Sequence, residues 1–160
     1  IGAGMRAFVL GLLLLLTNST FADELVGFMA FENGDYSTAY PHLMQAAREG
    51  NSEAMYLLGR MYQYGYGVPE NNDEARKWYL KSAEKNNALS ELSLGYLYDM
   101  GKGVMQNYSE AFKWYMKAAE QGNEVAQRNV GLMYEAGDGI SQSDENAFIW
   151  FSKAADKGYS

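Results

Sequence analysis

Three short patterns in this 160-residue chain could do chemistry. The first is Gly65-Tyr66-Gly67-Val68, a Gly-x-Gly loop of the kind that cradles phosphate on backbone N–H groups. A dinucleotide fingerprint needs a third glycine and a P-loop needs Gly-Lys-Ser/Thr, and Val68-Pro69-Glu70 supplies neither. The second is Ser82-Ala83-Glu84-Lys85, which fits the Ser-x-x-Lys nucleophile motif of penicillin-recognising enzymes. Its companions, Ser-Asp-Asn and Lys-Thr-Gly, occur nowhere in the chain. The motif also falls near the end of a predicted helix, where the dipole opposes an attacking alkoxide. The third is His42, the only histidine, too few for a multi-histidine metal site. There is no cysteine, so thiol catalysis and thiolate metal sites are excluded. The carboxylates fall on predicted exposed faces rather than in a recurring pair. No catalytic residue, cofactor or metal ligand emerges, and the chain reads as a non-enzyme.

The elements that carry these residues are repeated. Gly65-x-Gly67-Val68 returns as Gly101-x-Gly103-Val104 and as Gly137-x-Gly139-Ile140, each time after 36 residues. The same step relates Gly59, Gly95 and Gly131; Tyr62, Tyr98 and Tyr134; and Trp78, Trp114 and Trp150. Such a period is the mark of a solenoid. It also weakens the phosphate reading, because the middle residue of the loop changes from Tyr66 to Lys102 to Asp138. An aspartate is unsuited to a phosphate cradle. A turn that needs positive φ between two helices explains the glycines better. Ser82 occupies the slot of Ala118 and Ala154, which reads as small-residue packing.

Each repeat reads as two helices. In the second, Ala75, Trp78, Tyr79, Ser82 and Ala83 form one stripe at helical period, and the later copies repeat it. Asp35, Asn71, Asn107 and Ser143 stand at the N-cap place, 36 residues apart. Glu74 and Glu110, three residues beyond two of these caps, suggest capping boxes. Gly50, Asn86, Gly122 and Gly158 stand where a left-handed residue closes a helix. The first helices are expected over about 53–64, 89–100 and 125–136, with Gly59, Gly95 and Gly131 in mid-helix. Glycine there costs about 1 kcal/mol relative to alanine, so close packing against the Trp and Tyr of the second helix is expected.

A second stripe on the first helix is not needed for the core of its own pair. It comprises Tyr56, Arg60 and Gln63; Leu92, Tyr96 and Asp99; and Arg128, Leu132 and Glu135. Unlike the core, it differs from copy to copy. Aromatic and arginine residues are common interface anchors, and Arg60 and Arg128 could hold a carboxylate bidentately. These nine residues are the candidate partner-binding face. The alternative is that Leu92 and Leu132 only pack against a neighbouring repeat.

Upstream, Ala39, Leu43, Ala47 and Gly50 stand 36 residues before Ala75, Tyr79, Ala83 and Asn86, with His42 in the tryptophan slot. This is a degenerate copy, and His42 is expected to be partly buried and hydrogen-bonded. Pro41 lies inside its second helix, which should kink or start late. The first 22 residues differ in kind. Met5-Arg6, the apolar run Ala7–Leu16 and the small-residue end Thr17–Ala22 have the layout of a secretory signal peptide. Ten apolar residues rise only about 15 Å, half the hydrocarbon core, so cleavage before Asp23 is favoured over an anchor. Ile1–Gly4 precede that Met and are candidate non-native residues. Without Arg6, the one charged residue of 1–22, the chain holds 12 basic and 20 acidic residues, a charge of −8. That opposes nucleic acid and anionic lipid.

The repeated residues resemble the Sel1-like repeat, a branch of the tetratricopeptide-like α-solenoids. Its pattern, A-x-x-x-L-G-x-M-Y-x-x-G-x-G-V then A-x-x-W-Y-x-x-A-A, is met by Ala54, Leu58-Gly59, Met61-Tyr62, Gly65, Gly67-Val68, Ala75, Trp78-Tyr79 and Ala83. The resemblance implies an all-α solenoid, a right-handed superhelix of antiparallel helix pairs. Residues 23–160 would form a partial repeat over about 23–53 and full repeats over about 54–89, 90–125 and 126–160. It also implies a concave face that binds a protein or peptide, with export to the periplasm or outside a bacterial cell. One secreted branch is cysteine-rich and has members described as β-lactam-binding or hydrolysing. A β-lactam or peptidoglycan-related function is therefore the alternative, weakened by the absence of cysteine. Solenoid ends normally carry a polar cap, and the helix ending near Gly158 shows none. That helix is a candidate for self-association, if it is not simply exposed or followed by further sequence.

Overall fold

Polar caps and left-handed residues divide the chain into short helices of nearly equal length. The structure, a computed structural model, describes residues 23–156. The predicted leader 1–22 and Gly158 lie outside them. Among the described residues there are eight helices and no strand. They are α1 (23–32), α2 (Tyr36–Arg48), α3 (Ser52–Tyr64), α4 (Asn72–Ala83), α5 (Ala88–Met100), α6 (Tyr108–Glu120), α7 (Glu124–Ala136) and α8 (Asp144–Asp156). The closest pairings are α3 with α4, α5 with α6, and α7 with α8. Each pair then packs on the next through α4 with α5 and α6 with α7, which makes an α-solenoid.

The expected caps form. Asp35, Asn71 and Asn107 accept hydrogen bonds from the N–H groups of Thr38, Glu74 and Glu110, and Ser143 from that of Asn146. The reciprocal half of the capping box does not form. The N–H groups of Asn71 and Asn107 donate instead to the carbonyls of Tyr62 and Tyr98, at 2.8 and 2.9 Å. Glu74 and Glu110 accept from Lys77 and Lys113. The loop is thereby tied back to the helix it leaves. Asn51, Asn87 and Asn123 cap the first helices, a second set of caps that also recurs every 36 residues. Gly50, Asn86 and Gly122 before them have φ of 94°, 59° and 88°.

Helix α2 starts at Tyr36 and contains Pro41, so the late start does not occur. Its partner α1 is a helix too, and it lies outside the 36-residue frame because the Asn33–Gly34 turn is shorter than the later loops. Gly27 of α1 packs against His42 Cβ and the backbone of Leu43. Leu43 holds the slot that Tyr79 fills one repeat later.

The core repeats with the step. Ala54, Leu58 and Met61 of α3 are buried, as are Ala75 and Tyr79 of α4, and the later pairs follow. The mid-helix glycines face the Tyr slot rather than the Trp slot: Gly59 against Tyr79, Gly95 against Tyr115 and Gly131 against Phe151. A Cβ on Gly131 would lie 2.6 Å from Phe151 Cε1. The tryptophans instead carry lysines, with Lys81, Lys117 and Lys153 Nζ at 4.4, 4.3 and 3.8 Å from the rings of Trp78, Trp114 and Trp150. At the far end, Phe148 of α8 is 73% exposed. It has the position of Phe112, which meets Tyr134 of the following repeat edge-on at 5.2 Å.

The Gly-x-Gly loops join repeats. The first glycine is the left-handed C-cap of its helix, as at Gly65 (φ 69°). The second lies against the first residue of the previous repeat's second helix: Gly67 on Tyr36, Gly103 on Asn72 and Gly139 on Tyr108. The N–H groups of Gly65 and Tyr66 both donate to the carbonyl of Met61. They are spent inside the turn, as a left-handed helix C-cap requires.

Candidate functional site

The first helices α3, α5 and α7 carry the variable stripe, and two adjoining cavities open along it. The first, of about 260 Å³, is lined by Tyr56, Gln63, Tyr64, Leu92, Ser93, Tyr96, Tyr115, Val125 and Asn129. Four tyrosines surround it and no charged side chain does. The second, of about 280 Å³, is lined by Asp99, Glu135 and Asp138 together with Tyr115, Asn129, Leu132, Met133 and Ala136. Tyr115 and Asn129 belong to both cavities, so the two form one groove with a neutral aromatic part and an acidic part.

Of the nine stripe residues, Tyr56, Gln63, Leu92 and Tyr96 line the aromatic cavity. Asp99, Leu132 and Glu135 line the acidic one. The arginines line neither. The Arg60 guanidinium stands over Phe31 at 5.2 Å and Tyr56 at 5.9 Å, so it ties α3 to α1 by stacking. Arg128 is exposed on α7. Gln63 is buried and accepts from the Tyr79 hydroxyl at 2.6 Å, which makes it a core residue whose edge reaches the groove. Leu92 is half-buried and packs on the core around Ala111 and Val130, whereas Leu132 is 40% exposed. Packing therefore explains Leu92 and leaves Leu132 open.

Tyr115 supplies the shared wall. It is buried at the ring, and its hydroxyl donates to Asp99 Oδ2 at 3.3 Å. Burial raises the pKa of its phenol, with Asp99 adding to the rise. The Asp99 carboxyl lies above its usual range, first because of burial and then because of the Asp138 charge; the Tyr115 hydroxyl works against the rise. The sequence reading missed Tyr64, Tyr115, Asn129 and Asp138. Asn129 falls in the column of Leu57 and Ser93, which varies as the recognised stripe does. Asp138 is the variable middle residue of the third Gly-x-Gly loop, and its counterpart Lys102 lies over the Tyr96 ring at 5.2 Å.

The other candidates are structural. Ser82 is fully buried, and its hydroxyl donates to the Ser52 carbonyl at 2.7 Å, which joins α4 to the start of α3. It is not presented as a nucleophile. His42 is half-buried, with Nδ1 3.6 Å from Asp23 Oδ1. No group of three or more His, Cys, Asp or Glu able to hold a metal occurs among the described residues.

Another cavity, of about 450 Å³, lies where α4 ends and α5 begins, against the end of α6. Glu91 is buried there, accepting from Gln121 Nε2 at 2.6 Å with Lys117 and Glu120 nearby. Burial pushes its carboxyl above the ordinary range, although Gln121 and Lys117 oppose this. A raised folded-state pKa stabilises fully below the unfolded value, and that stabilisation is lost as pH rises through the folded value. Glu91→Gln is therefore expected to match the wild type in acid, below the ordinary glutamate pKa. At neutral pH it should melt higher than the wild type, as thermal unfolding across that range will show.

The fold and groove define a class: an α-solenoid of paired-helix repeats with a variable face on its first helices. The Sel1 repeat model matches residues 52–87, 88–123 and 125–159, more than half of the chain, and the chain belongs to that family. It is similar to the Sel1 repeat protein of Oxalobacter formigenes, 36% identical, with a TM-score of 0.81 over 84% of this chain and 56% of that one. It is also similar to c5321, a protective antigen of uropathogenic Escherichia coli with this repeat fold. That likeness is 34% identical, with a TM-score of 0.84 over 93% of this chain and 33% of the other. An exopolysaccharide production negative regulator of Rhizobium meliloti (strain 1021) is 36% identical over 78 residues, which are 49% of this chain and 29% of the regulator. The chain thus spans about a third to a half of the length of these relatives. Proteins of this family are generally scaffolds for protein–protein interaction. Among the described residues, no helix is long and apolar enough to cross a membrane.

Proposed function

We propose that this chain is a binding scaffold without catalysis of its own, holding a protein segment or peptide in the groove between α3, α5 and α7. The observation that carries this is the convergence of variable columns on one surface. Seven of the nine stripe residues line two adjoining cavities, while the columns that repeat unchanged build the core. Variable side chains gathered around one groove on a repeated frame are what a recognition surface needs. The acidic balance of residues 23–160 opposes nucleic acid as the partner. The regulator among the relatives suits a protein that acts by binding. We place the scaffold in the periplasm or outside the cell, on the strength of the leader-like segment before Asp23. A mature N-terminus at Asp23 supports that placement, and a retained leader refutes it.

Tyr96 is the side chain to remove, since it is half-buried, lines the aromatic cavity and lies on α5 between the other two helices. Tyr96→Ala is expected to weaken capture of the partner from the native envelope fraction by roughly tenfold or more, the loss typical of an aromatic anchor. Its helical circular dichroism should stay that of the wild type. Capture at full strength by a folded Tyr96→Ala would place the binding surface elsewhere.

A further inference from the structure

The charges of the groove point to the chemistry of its occupant. Resting on the reading above, we propose that the groove selects a peptide segment with a cationic side chain, arginine above lysine, beside an aliphatic or aromatic one. Asp99, Glu135 and Asp138 all line the acidic cavity, and no Lys, Arg or His lines it. None of the three enters an ion pair among the described residues. Arg128, exposed on α7, lines neither cavity, and two other cations of neighbouring elements are engaged. Arg60 stacks on Phe31 and Tyr56, and Lys102 lies over Tyr96 with Glu70 as its acidic neighbour. Three like charges around one cavity repel one another, and a cation from outside relieves that repulsion. Burial is the main cause that holds the Asp99 carboxyl above its usual range, and the Asp138 charge adds to it.

The rest of the groove fixes the neighbour of that cation. The aromatic cavity has four tyrosines, Leu92 and Val125 on its walls and no charge, so it takes an apolar side chain. Tyr115 stands between the two cavities. A planar guanidinium fork can pair with more than one carboxylate at once, which an ammonium does less well. Asn129, also on the shared wall, brings one amide acceptor and two donors, the complement of a peptide backbone.

The test uses the full chain and short fluorescein-labelled peptides. Each carries one Leu or Phe in a Gly/Ser background, with a single Arg, Lys, Gln or Glu near it on either side. Fluorescence anisotropy is expected to rank Arg first. Arg peptides should bind about tenfold or more tighter than their Glu counterparts, with the margin shrinking as salt is raised. Asp99→Asn with Asp138→Asn should reduce the preference of Arg over Gln to about twofold or less while sparing the Gln peptides. If the Asp99 change loosens the Tyr115 contact, Glu135→Gln at its exposed position gives the same comparison. Equal binding of Arg, Gln and Glu peptides, all weakened by Tyr96→Ala, would overturn the charge selection and leave the groove as the binding site. Binding of no peptide in the set would overturn both.

Discussion

Gly95→Ala is expected to destabilise the chain by about 1–3 kcal/mol, although it puts the best helix former in mid-helix. On an open helix the same change would stabilise by about 1 kcal/mol. The sign reverses because a Cβ at Gly95 would overlap the Tyr115 ring, with Cγ only 2.9 Å away. Tyr115 is 2% exposed, so its ring has nowhere to swing. Tyr115→Ala should itself cost about 3–5 kcal/mol, as loss of a buried aromatic does. In that background Gly95→Ala should become neutral or stabilising, because the colliding ring is gone and helix propensity acts alone. Urea unfolding of the four proteins measures the coupling, which should favour the double variant by roughly 2 kcal/mol or more. Additive losses would show that the glycine is there for another reason. The same contact positions the groove, since the ring held against Gly95 is the wall shared by the two cavities.

Gly103→Ala is expected to cost more, about 3 kcal/mol or above, and to weaken the junction between repeats. Two effects add. The residue has φ of 67°, where a Cβ costs about 1–2 kcal/mol. That Cβ would also lie 2.6 Å from the backbone N of Asp73 and 2.7 Å from the carbonyl oxygen of Asn72. A helix backbone cannot rotate out of the way, unlike a side chain, so the whole loop must lift off α4. In a solenoid the repeats cooperate through such interfaces, and a broadened urea transition should accompany the loss. Lys102→Ala, one residue earlier and exposed, is the control and should stay within about 0.5 kcal/mol of the wild type. Equal stability of the two variants would remove the loop from the repeat junction.

What the sequence made legible was whatever repeats. The 36-residue step exposed α3 to α8, the caps of α4, α6 and α8 and the glycines that join the helices. Helix α1 was hidden by its short Asn33–Gly34 turn, which breaks the step, although Gly27-x-Met29 echoes Gly59-x-Met61. Periodicity also assigns a face without giving the direction of a long side chain. That is why Arg60 looked like a carboxylate clamp and is instead stacked on Phe31. The groove was half legible. Its stripe residues lie on one face of each first helix and could be read from variation. Tyr115 could not, because a core residue became a wall only when α5, α6 and α7 packed together. Asp138 was seen as loop variation, and its meaning depended on Asp99 and Glu135 facing the same space. The capping boxes failed for a similar reason, since a carbonyl of the preceding helix competed for the cap's N–H and won.

The central claim is that the partner sits in the groove along α3, α5 and α7. Site-specific photo-crosslinking in the native cell tests it most directly, with benzoylphenylalanine placed at Tyr96 in one strain and at Lys113, exposed on α6, in another. A discrete adduct from position 96, absent from position 113, is the predicted result. An adduct from position 113 with none from position 96 would contradict it.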